Sequence, residues 1–313
     1  MISYRAPAKI ILSGEHSVVY TKPALVSAID TYLTVTLQES KTVTCDPRIK
    51  EALEFIQDIV ISYLKKEHVV VSEKPFACIV ESDIPEGRGM GSSAAFCVAI
   101  VASLLHWYTG HEWAKETINN LAYQSEKHFH GMPSGVDVSA SCMGGLIFYR
   151  KEFEFLKYIS ALNFKIPKNI QDHLILIDSG KPEESTAEMV SLVGRRYNKN
   201  PQETEHILAQ IEKITKRMVI AIVKEDRNLF AECIHENQKL LVQLGIVSAE
   251  CSDLISRLAP FGVGKVTGAG GLKKGSGMIL FYVEKQEAFD HFCSHENIIH
   301  TPFKQNYSGV VRL

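Results

Sequence analysis

No two of the seven cysteines in this 313-residue chain are paired: Cys45, Cys78, Cys97, Cys142, Cys233, Cys251 and Cys293 stand singly, an odd count without a C-x-x-C. That spacing excludes a disulfide framework and a cysteine zinc site, and predicts reduced, mostly buried thiols. No charge of one sign dominates either. Thirty-four basic residues against thirty-six acidic ones give a formal charge of −2, which removes the electrostatic footprint expected of a nucleic-acid binder. Long hydrophobic runs are missing as well. The longest, Ala94 to Leu105, is twelve residues, short of the roughly twenty a membrane span needs, and predicts a buried core helix. The opening MISYRAPAKIILSGEH carries Lys9 and Glu15 in or beside its short apolar run, so it reads as neither signal peptide nor anchor. Internal repeats, low-complexity tracts, a Walker A sequence and a dinucleotide G-x-G-x-x-G are absent too. A soluble protein with cytoplasm as its address, no nucleic-acid partner and no membrane partner is expected.

What is present is a globular composition, 45% hydrophobic and 22% charged. At roughly 100–200 residues per domain the length predicts two domains. The first part is strand-rich: Lys9–Ser13 and Ala28–Leu37 flank the loop from Gly14 to Pro23, Lys50–Lys66 shows a helical apolar stripe, and Val69–Val71 and Phe76–Glu81 read as short strands. After Asn163 helical patterns dominate, so the boundary is placed there, giving domains of 1–165 and 166–313. Strands and helices do not alternate in a regular βαβ manner, which predicts an α+β fold.

Three glycine-bearing segments carry the chemistry. In Pro85-Glu-Gly-Arg-Gly-Met-Gly-Ser-Ser-Ala-Ala95, glycines at 87, 89 and 91 remove every second side chain, so backbone N–H groups can converge on an anion. Ser92 and Ser93 follow as helix-capping residues, and the start of the uncharged helix adds orphan donors and a positive dipole end: a phosphate cradle. The second segment, Thr267-Gly-Ala-Gly-Gly271, lies between two expected strands and serves equally as a flexible hairpin. The third, Glu126 to Asp137, is broken by Gly131, Pro133 and Gly135, and such a turn can bring its two carboxylates to one site. One could hold a divalent cation and the other accept a proton from a hydroxyl. His128 and His130 read as surface or loop-capping residues. Lys9, in the apolar stretch Ala6-Pro-Ala-Lys-Ile-Ile-Leu12, either points outward from an edge strand or points inward and needs a carboxylate, for which Asp137 is the candidate.

Taken in order, these segments resemble the GHMP kinase superfamily, the galactokinases and the homoserine, mevalonate and phosphomevalonate kinases. Ala6-Pro-Ala-Lys-Ile10 with Gly14-Glu-His16 resembles its first motif, Pro85–Ala95 its second and Lys265-Val-Thr-Gly-Ala-Gly-Gly271 its third. Gly14-Glu-His-Ser-Val-Val-Tyr20 and His130-Gly-Met-Pro-Ser-Gly-Val-Asp137 are most similar to mevalonate kinases. The resemblance implies a two-domain α+β fold, with an N-terminal ATP-binding domain like ribosomal protein S5 domain 2 and a ferredoxin-like C-terminal domain. The active site would lie in the cleft between them. It implies Asp137 as catalytic aspartate with Lys9 as its partner, and ATP held by Gly87, Gly89, Met90, Gly91, Ser92, Ser93 and Ala94. It further implies Mg²⁺ on Ser93 and Glu126, and mevalonate as small-molecule substrate against Glu15, His16, Thr186, Gly268 and Ala269. A homodimer is among the assemblies the family suggests.

Three departures stand out. Val138 follows the aspartate where mevalonate kinases usually carry Asn, a feature closer to phosphomevalonate kinases. The third motif continues as Leu272-Lys-Lys-Gly-Ser276, whose lysines could reach a phosphate. The arginine often found just before the Thr186 position is replaced by the Glu183–Ser185 stretch. A non-catalytic nucleotide-binding sensor of the same fold is the alternative of a different class; it would have no need of Asp137, Lys9 and Glu126 together.

Overall fold

The computed structural model describes all residues except Glu73, Gly131, Met132, Glu154 and Phe155, together with the side chains of His130 and Lys157. Of the turn expected at His130–Gly135, Gly131, Met132 and the His130 side chain therefore lie outside the described residues. The first half of the chain builds β1 (Ile2–Ser13), β2 (Ala24–Glu39), α1 (Lys50–Lys66), β3 (Phe76–Ser82), α2 (Ser92–Thr109), α3 (Lys115–His130), α4 (Val136–Met143), β4 (Leu146–Phe153) and β5 (Leu156–Leu162). The second builds α5 (Lys168–Gln171), β6 (Leu174–Asp178), α6 (Thr186–Lys199), α7 (Pro201–Val223), α8 (Arg227–Leu244), α9 (Ala249–Leu258), β7 (Gly262–Val266), β8 (Met278–Val283), α10 (Gln286–Glu296), β9 (His300–Pro302) and β10 (Val311–Arg312).

Two antiparallel sheets result. One runs β10-β1-β2-β4-β5, with β3 also on β2; the other runs β7-β8-β6-β9. The α+β class is borne out. β10 pairs with β1, so the end of the chain returns to the first sheet although it lies far beyond residue 165.

Alternation along β1 divides its side chains between two tasks. Ala6, Ala8, Ile10 and Leu12 enter the main core, which α1, α2 and α3 complete. Ile11, from the opposite face, enters a small cluster with Val26, Val136, Ala140 and Tyr149. Lys9 shares that second face. The β1/β2 register shifts between Pro7 and Ala8, where proline cannot donate to the ladder, and Ser141 Oγ of α4 donates to the Pro7 carbonyl at 2.7 Å. The bulge and α4 thus meet two residues before Lys9.

α2 is long and apolar enough to cross a membrane by length and composition alone, yet 78% of its window is buried among β1, β2 and the helices around it. It is the core helix the apolar run predicts. All seven cysteines are free, with six buried and Cys45 half-buried; burial pushes the thiols of Cys78, Cys142 and Cys233 up to about 12.

No strand forms at Val69–Val71. After α1, His68 takes a φ of 55°, and the Val69 N–H turns back to the Leu64 carbonyl, which leaves this segment to close the helix end. α4 and β5 are elements that periodicity did not separate from their surroundings.

The returning tail seats α4. Val310 N–H donates to the Cys142 carbonyl, Gly145 N–H to the Asn306 carbonyl, and Lys115 Nζ to the Ser308 carbonyl. Gly309 has φ +62°, and a Cβ built on it would lie 2.2 Å from the Cys142 carbonyl oxygen, where backbone meets backbone. Gly309→Ala should therefore cost roughly 1–3 kcal/mol, read from the urea unfolding midpoint. An unchanged midpoint would mean that the tail does not hold α4.

Candidate active site

Two glycine segments meet where the sheets face each other. Gly87, Gly89 and Gly91 have φ of 68°, 76° and 76°, so left-handed residues alternate with Arg88 and Met90, the backbone pattern of an anion nest, in which successive N–H groups can converge on one side. Gly91 is the N-cap of α2 and offers no side chain to its first turn. Ser92 and Ser93 are therefore the first two helical residues; neither caps the helix, contrary to the sequence expectation. The orphan donors and positive dipole end of α2 stay directed at whatever the nest holds.

The second glycine segment packs back to back with the first. A Cβ on Gly89 would lie 3.2 Å from the Thr267 carbonyl oxygen, and one on Gly268 would lie 3.3 Å from Gly89 Cα. Met278 N–H donates to the Arg88 carbonyl at 3.1 Å, and Arg88 forms an ion pair with Asp178 at 2.7 Å. Thr267 and Gly268 thus back the loop of Gly87–Gly91.

Lys9 threads beneath this loop. Its backbone N–H donates to the Met90 carbonyl and its Nζ to the Gly89 carbonyl, both at 2.9 Å. A Cβ on Gly91 would come within 3.0 Å of its Cε and Cγ, so the last glycine of the nest leaves room for the lysine stem. The inward alternative holds: Lys9 Nζ lies 3.0 Å from Asp137 Oδ1, with side chains 3% and 30% exposed. Asp137 sits in the first turn of α4, where the helix dipole favours a carboxylate; that helix starts at Gly135, at φ 88°.

A cavity of about 800 Å³ opens over this pair, within the ~300–1,000 Å³ range of small-molecule sites. Its wall brings together Lys9, Glu15, His16, Gly87, Gly89, Met90, Gly91, Ser92, Ser93, Asp137, Thr186, Gly268 and Ala269. One end is apolar, with Ile49 just before α1, Ala52 of α1, Val80 of β3, and Phe96 and Phe129. Two expected residues are not on the wall. Ala94 is fully buried with its side chain in the core. Glu126 is 2% exposed, and its charge is felt by Cys97, one helical turn beyond Ser93 on α2. A buried carboxylate with a hydroxyl supplies hard oxygen donors, which suits Mg²⁺ better than a soft or nitrogen-loving metal. His128 packs against Phe55 of α1 with the rings tilted by 34° and is not on the cavity wall.

Glu15 reaches the wall, but its carboxylate is committed. Oε1 pairs with Lys265 Nζ, Oε2 accepts from Asn237 Nδ2 at 3.2 Å, and both charged side chains are 0% exposed. Lys265 also donates to the Ile11 carbonyl, while Ile11 N–H donates to Thr267 Oγ1. The pair therefore clamps β1 to β7. Burial pulls the Lys265 pKa down, and the Glu15 carboxylate opposes that pull. Lys265 escaped assignment in the sequence although it carries the signal that marks Lys9, a lone cation in an apolar strand, Gly262-Val-Gly-Lys-Val266.

His16 follows at φ 57°, a strained position for a side-chain-bearing residue. Its Nε2 lies 2.9 Å from the Ala269 carbonyl, which can only accept, so the proton is on Nε2. Burial lowers its pKa and keeps the ring neutral, with Nδ1 left as an acceptor.

Thr186 opens α6 behind Ser185, whose capping box with Glu188 fixes the helix start. Where the family often places an arginine, Glu184 accepts the N–H groups of Leu272 and Lys273 at 3.1 and 3.3 Å and so holds the third motif's continuation. Lys273 pairs with Glu183 at 3.6 Å, and neither it nor Lys274 lines the cavity, so the expectation that these lysines reach a phosphate site is not met.

Comparison with known proteins gives the same direction. Residues 49–145 match the family model described as the GHMP kinases N terminal domain. The chain is 31% identical to a mevalonate kinase of Pyrococcus abyssi, over 85% of each sequence. A protein of solved structure from Listeria innocua superposes with a TM-score of 0.83 at 21% identity, covering 100% of this chain and 99% of that one. The mevalonate kinase of L. major, crystallised with R-mevalonate, gives 0.77 at 21% identity, covering 97% and 96%. At these identities the structural likenesses speak for the fold.

Two outcomes check the site. Lys265→Met leaves Glu15 buried without its counter-charge and should cost about 3–5 kcal/mol in urea unfolding, with part recovered by adding Glu15→Gln; a loss below 1 kcal/mol would place the pair in water. His16 has a folded pKa below its unfolded one, so the unfolded chain binds more protons and stability is lost as pH falls from the usual histidine value of 6.5 towards the lowered folded value. His16→Asn should flatten that part of the wild-type stability profile, and parallel profiles would count against a neutral buried ring.

Proposed function

Since the chain belongs to the mevalonate kinase family of the GHMP kinases, we propose that it transfers the γ-phosphoryl group of ATP to the primary hydroxyl of mevalonate, giving 5-phosphomevalonate and ADP. The observation that carries this reading is the Lys9–Asp137 pair at 3.0 Å beside an anion nest, inside one cavity.

Phosphoryl transfer passes through a loose transition state, so the work is positioning and neutralisation of spread charge. The amides of Gly87–Ser93 and the start of α2 receive the ATP phosphates, and the apolar end near Ile49, Val80 and Phe96 takes the base. Ser93 and Glu126 would hold Mg²⁺, which when bound supplies positive charge to the phosphate oxygens. Asp137 accepts the proton of the primary hydroxyl as that oxygen bonds to the γ-phosphorus, and the bond from phosphorus to the bridging oxygen breaks to release ADP. Lys9 stabilises the negative charge that develops on the attacking oxygen and keeps the carboxylate in place. His16, neutral and with Nε2–H engaged by Ala269, accepts a hydrogen bond from the tertiary hydroxyl of the substrate through Nδ1. Thr186 can donate to its carboxylate. Glu15 acts behind the site by holding the turn that carries His16.

Coupled ADP release with mevalonate and 5-phosphomevalonate, measured side by side, tests the reading. Turnover should require mevalonate. Asp137→Asn should lower kcat by about 10²–10⁴ with a smaller change in KM, the span of a general-base contribution. Turnover with 5-phosphomevalonate alone would reassign the acceptor; an Asp137→Asn enzyme at near-full kcat would remove the aspartate from proton transfer. Nucleotide binding without turnover on either alcohol would turn the reading towards a sensor.

A further inference from the structure

Beside the nest lies a lysine that neither the three motifs nor the mechanism uses. Lys181 sits between β6 and α6, and its stem crosses the loop at Gly87: a Cβ built there would lie 2.6 Å from Lys181 Cε and 3.0 Å from Cδ. The first glycine of the nest thus makes room for Lys181, as the last one does for Lys9. The backbone that carries Lys181 is tied to the backing of the nest, because Ser179 N–H and Oγ donate to the Gly277 carbonyl and Gly277 N–H donates to the Gly180 carbonyl.

Every other cation at this loop already has a carboxylate. Lys9 pairs with Asp137 and Arg88 with Asp178. Lys181 has acidic neighbours in Glu183 and Glu184, yet the first pairs with Lys273 and the second accepts two amides. Among the described residues Lys181 forms no ion pair. It also lines a second cavity of about 290 Å³, which shares Gly87, Gly89, Thr186 and Ala269 with the main one. Lys181 is exposed, its stem lies over the first glycine of the loop, and it forms no ion pair among the described residues, so its ammonium is available to an anion held by the loop amides.

We propose that Lys181 contacts the β- and γ-phosphates of the nucleotide, from the end of the nest remote from Lys9, and neutralises charge there during transfer. This assignment rests on the kinase reading for the identity of the anion. Because Lys9 packs at Gly91 and Lys181 at Gly87, the two ammonium groups bracket the polyphosphate along the loop. Lys181 arrives on the segment that leads to Thr186, so the phosphate contact and the acceptor side of the cavity are coupled through one piece of chain.

Lys181→Met and Lys181→Arg, each in the full chain, test it by calorimetric titration with ADP and AMP and by steady-state kinetics with ATP and mevalonate. Loss of a charge-assisted contact should weaken ADP binding about 10-fold or more in Lys181→Met and raise the KM for ATP, while AMP binding changes less than about 2-fold; Lys181→Arg should recover most of the loss. Unchanged ADP affinity in Lys181→Met overturns the proposal, as does an equal loss for AMP and ADP, which would mark a structural role. A wild type that binds ADP but phosphorylates neither alcohol would end the kinase reading and leave the phosphate contact standing on the ADP titration. A wild type that binds no nucleotide would end both.

Discussion

The arrangement depends on a single buried ammonium. Lys9 lies in a strand whose neighbours on one face fill the hydrophobic core, and its own side chain is 3% exposed. A charge so placed must be fully partnered or the strand would not form where it does. Each of its needs is met by a different part of the chain: acceptors from the Gly89 carbonyl and Asp137, room for the stem from Gly91, and a seat for Asp137 from α4. The chain end then bonds to the Cys142 carbonyl at the end of α4, and Lys115 Nζ to that of Met143. Elements separated by most of the sequence answer to one side chain in the opening strand.

The join between the two sheets follows the same economy. Backbone and side chains share the contact: glycine lies against glycine at 89 and 268, Met278 N–H bonds to the Arg88 carbonyl, and the side chains of Lys265 and Thr267 bond to the Ile11 carbonyl and N–H. A Cβ on either glycine would push the facing backbone away by a few tenths of an ångström, and both glycines hold a positive φ that a side chain disfavours. Fully enclosed, Lys265 and Glu15 contribute directionality more than net stability, since the desolvation of both charges offsets much of their attraction. They fix the register between β1 and β7, and with it the distance from the nest to Ala269 and His16.

Much of this was legible from residues, and what was not has physical causes. Alternate glycines followed by serines announced the nest, because few other reasons place φ-permissive residues at every second position. Lys9 announced its own partner, because an ammonium inside an apolar strand has few solutions. The cap of α2 was misread: serines favour the N-cap in general, but Gly91 must take φ 76° to make room for Lys9, and tertiary packing overrode the propensity. Glu15 lines the cavity, yet its carboxylate pairs with Lys265, 250 positions away in sequence, a pairing that local pattern cannot reveal. Val69–Val71 has strand composition but lacks an edge to join. Lys181 is silent in sequence, since an exposed lysine before a proline means nothing until the loop beneath it is known.

The balance of charge in the cavity bears on how a kinase site can be both open and stable. Apart from Lys181, the cations at the loop are neutralised one by one by aspartates, and the remaining positive character comes from amide dipoles and a helix start. Fixed dipoles need little reorganisation when a polyanion enters, whereas a cluster of unpaired ammonium groups would repel itself while the cavity is empty and hold ADP strongly after transfer. A neutral His16 on the acceptor side fits the same logic: an imidazolium there would bind either phosphate or carboxylate and blur the two ends of the cavity. Burial lowers the His16 pKa against the opposing pull of the Ala269 carbonyl, so under the proposed function the nucleotide end reads negative charge through dipoles and lysine while the acceptor end reads hydroxyls by hydrogen bonds.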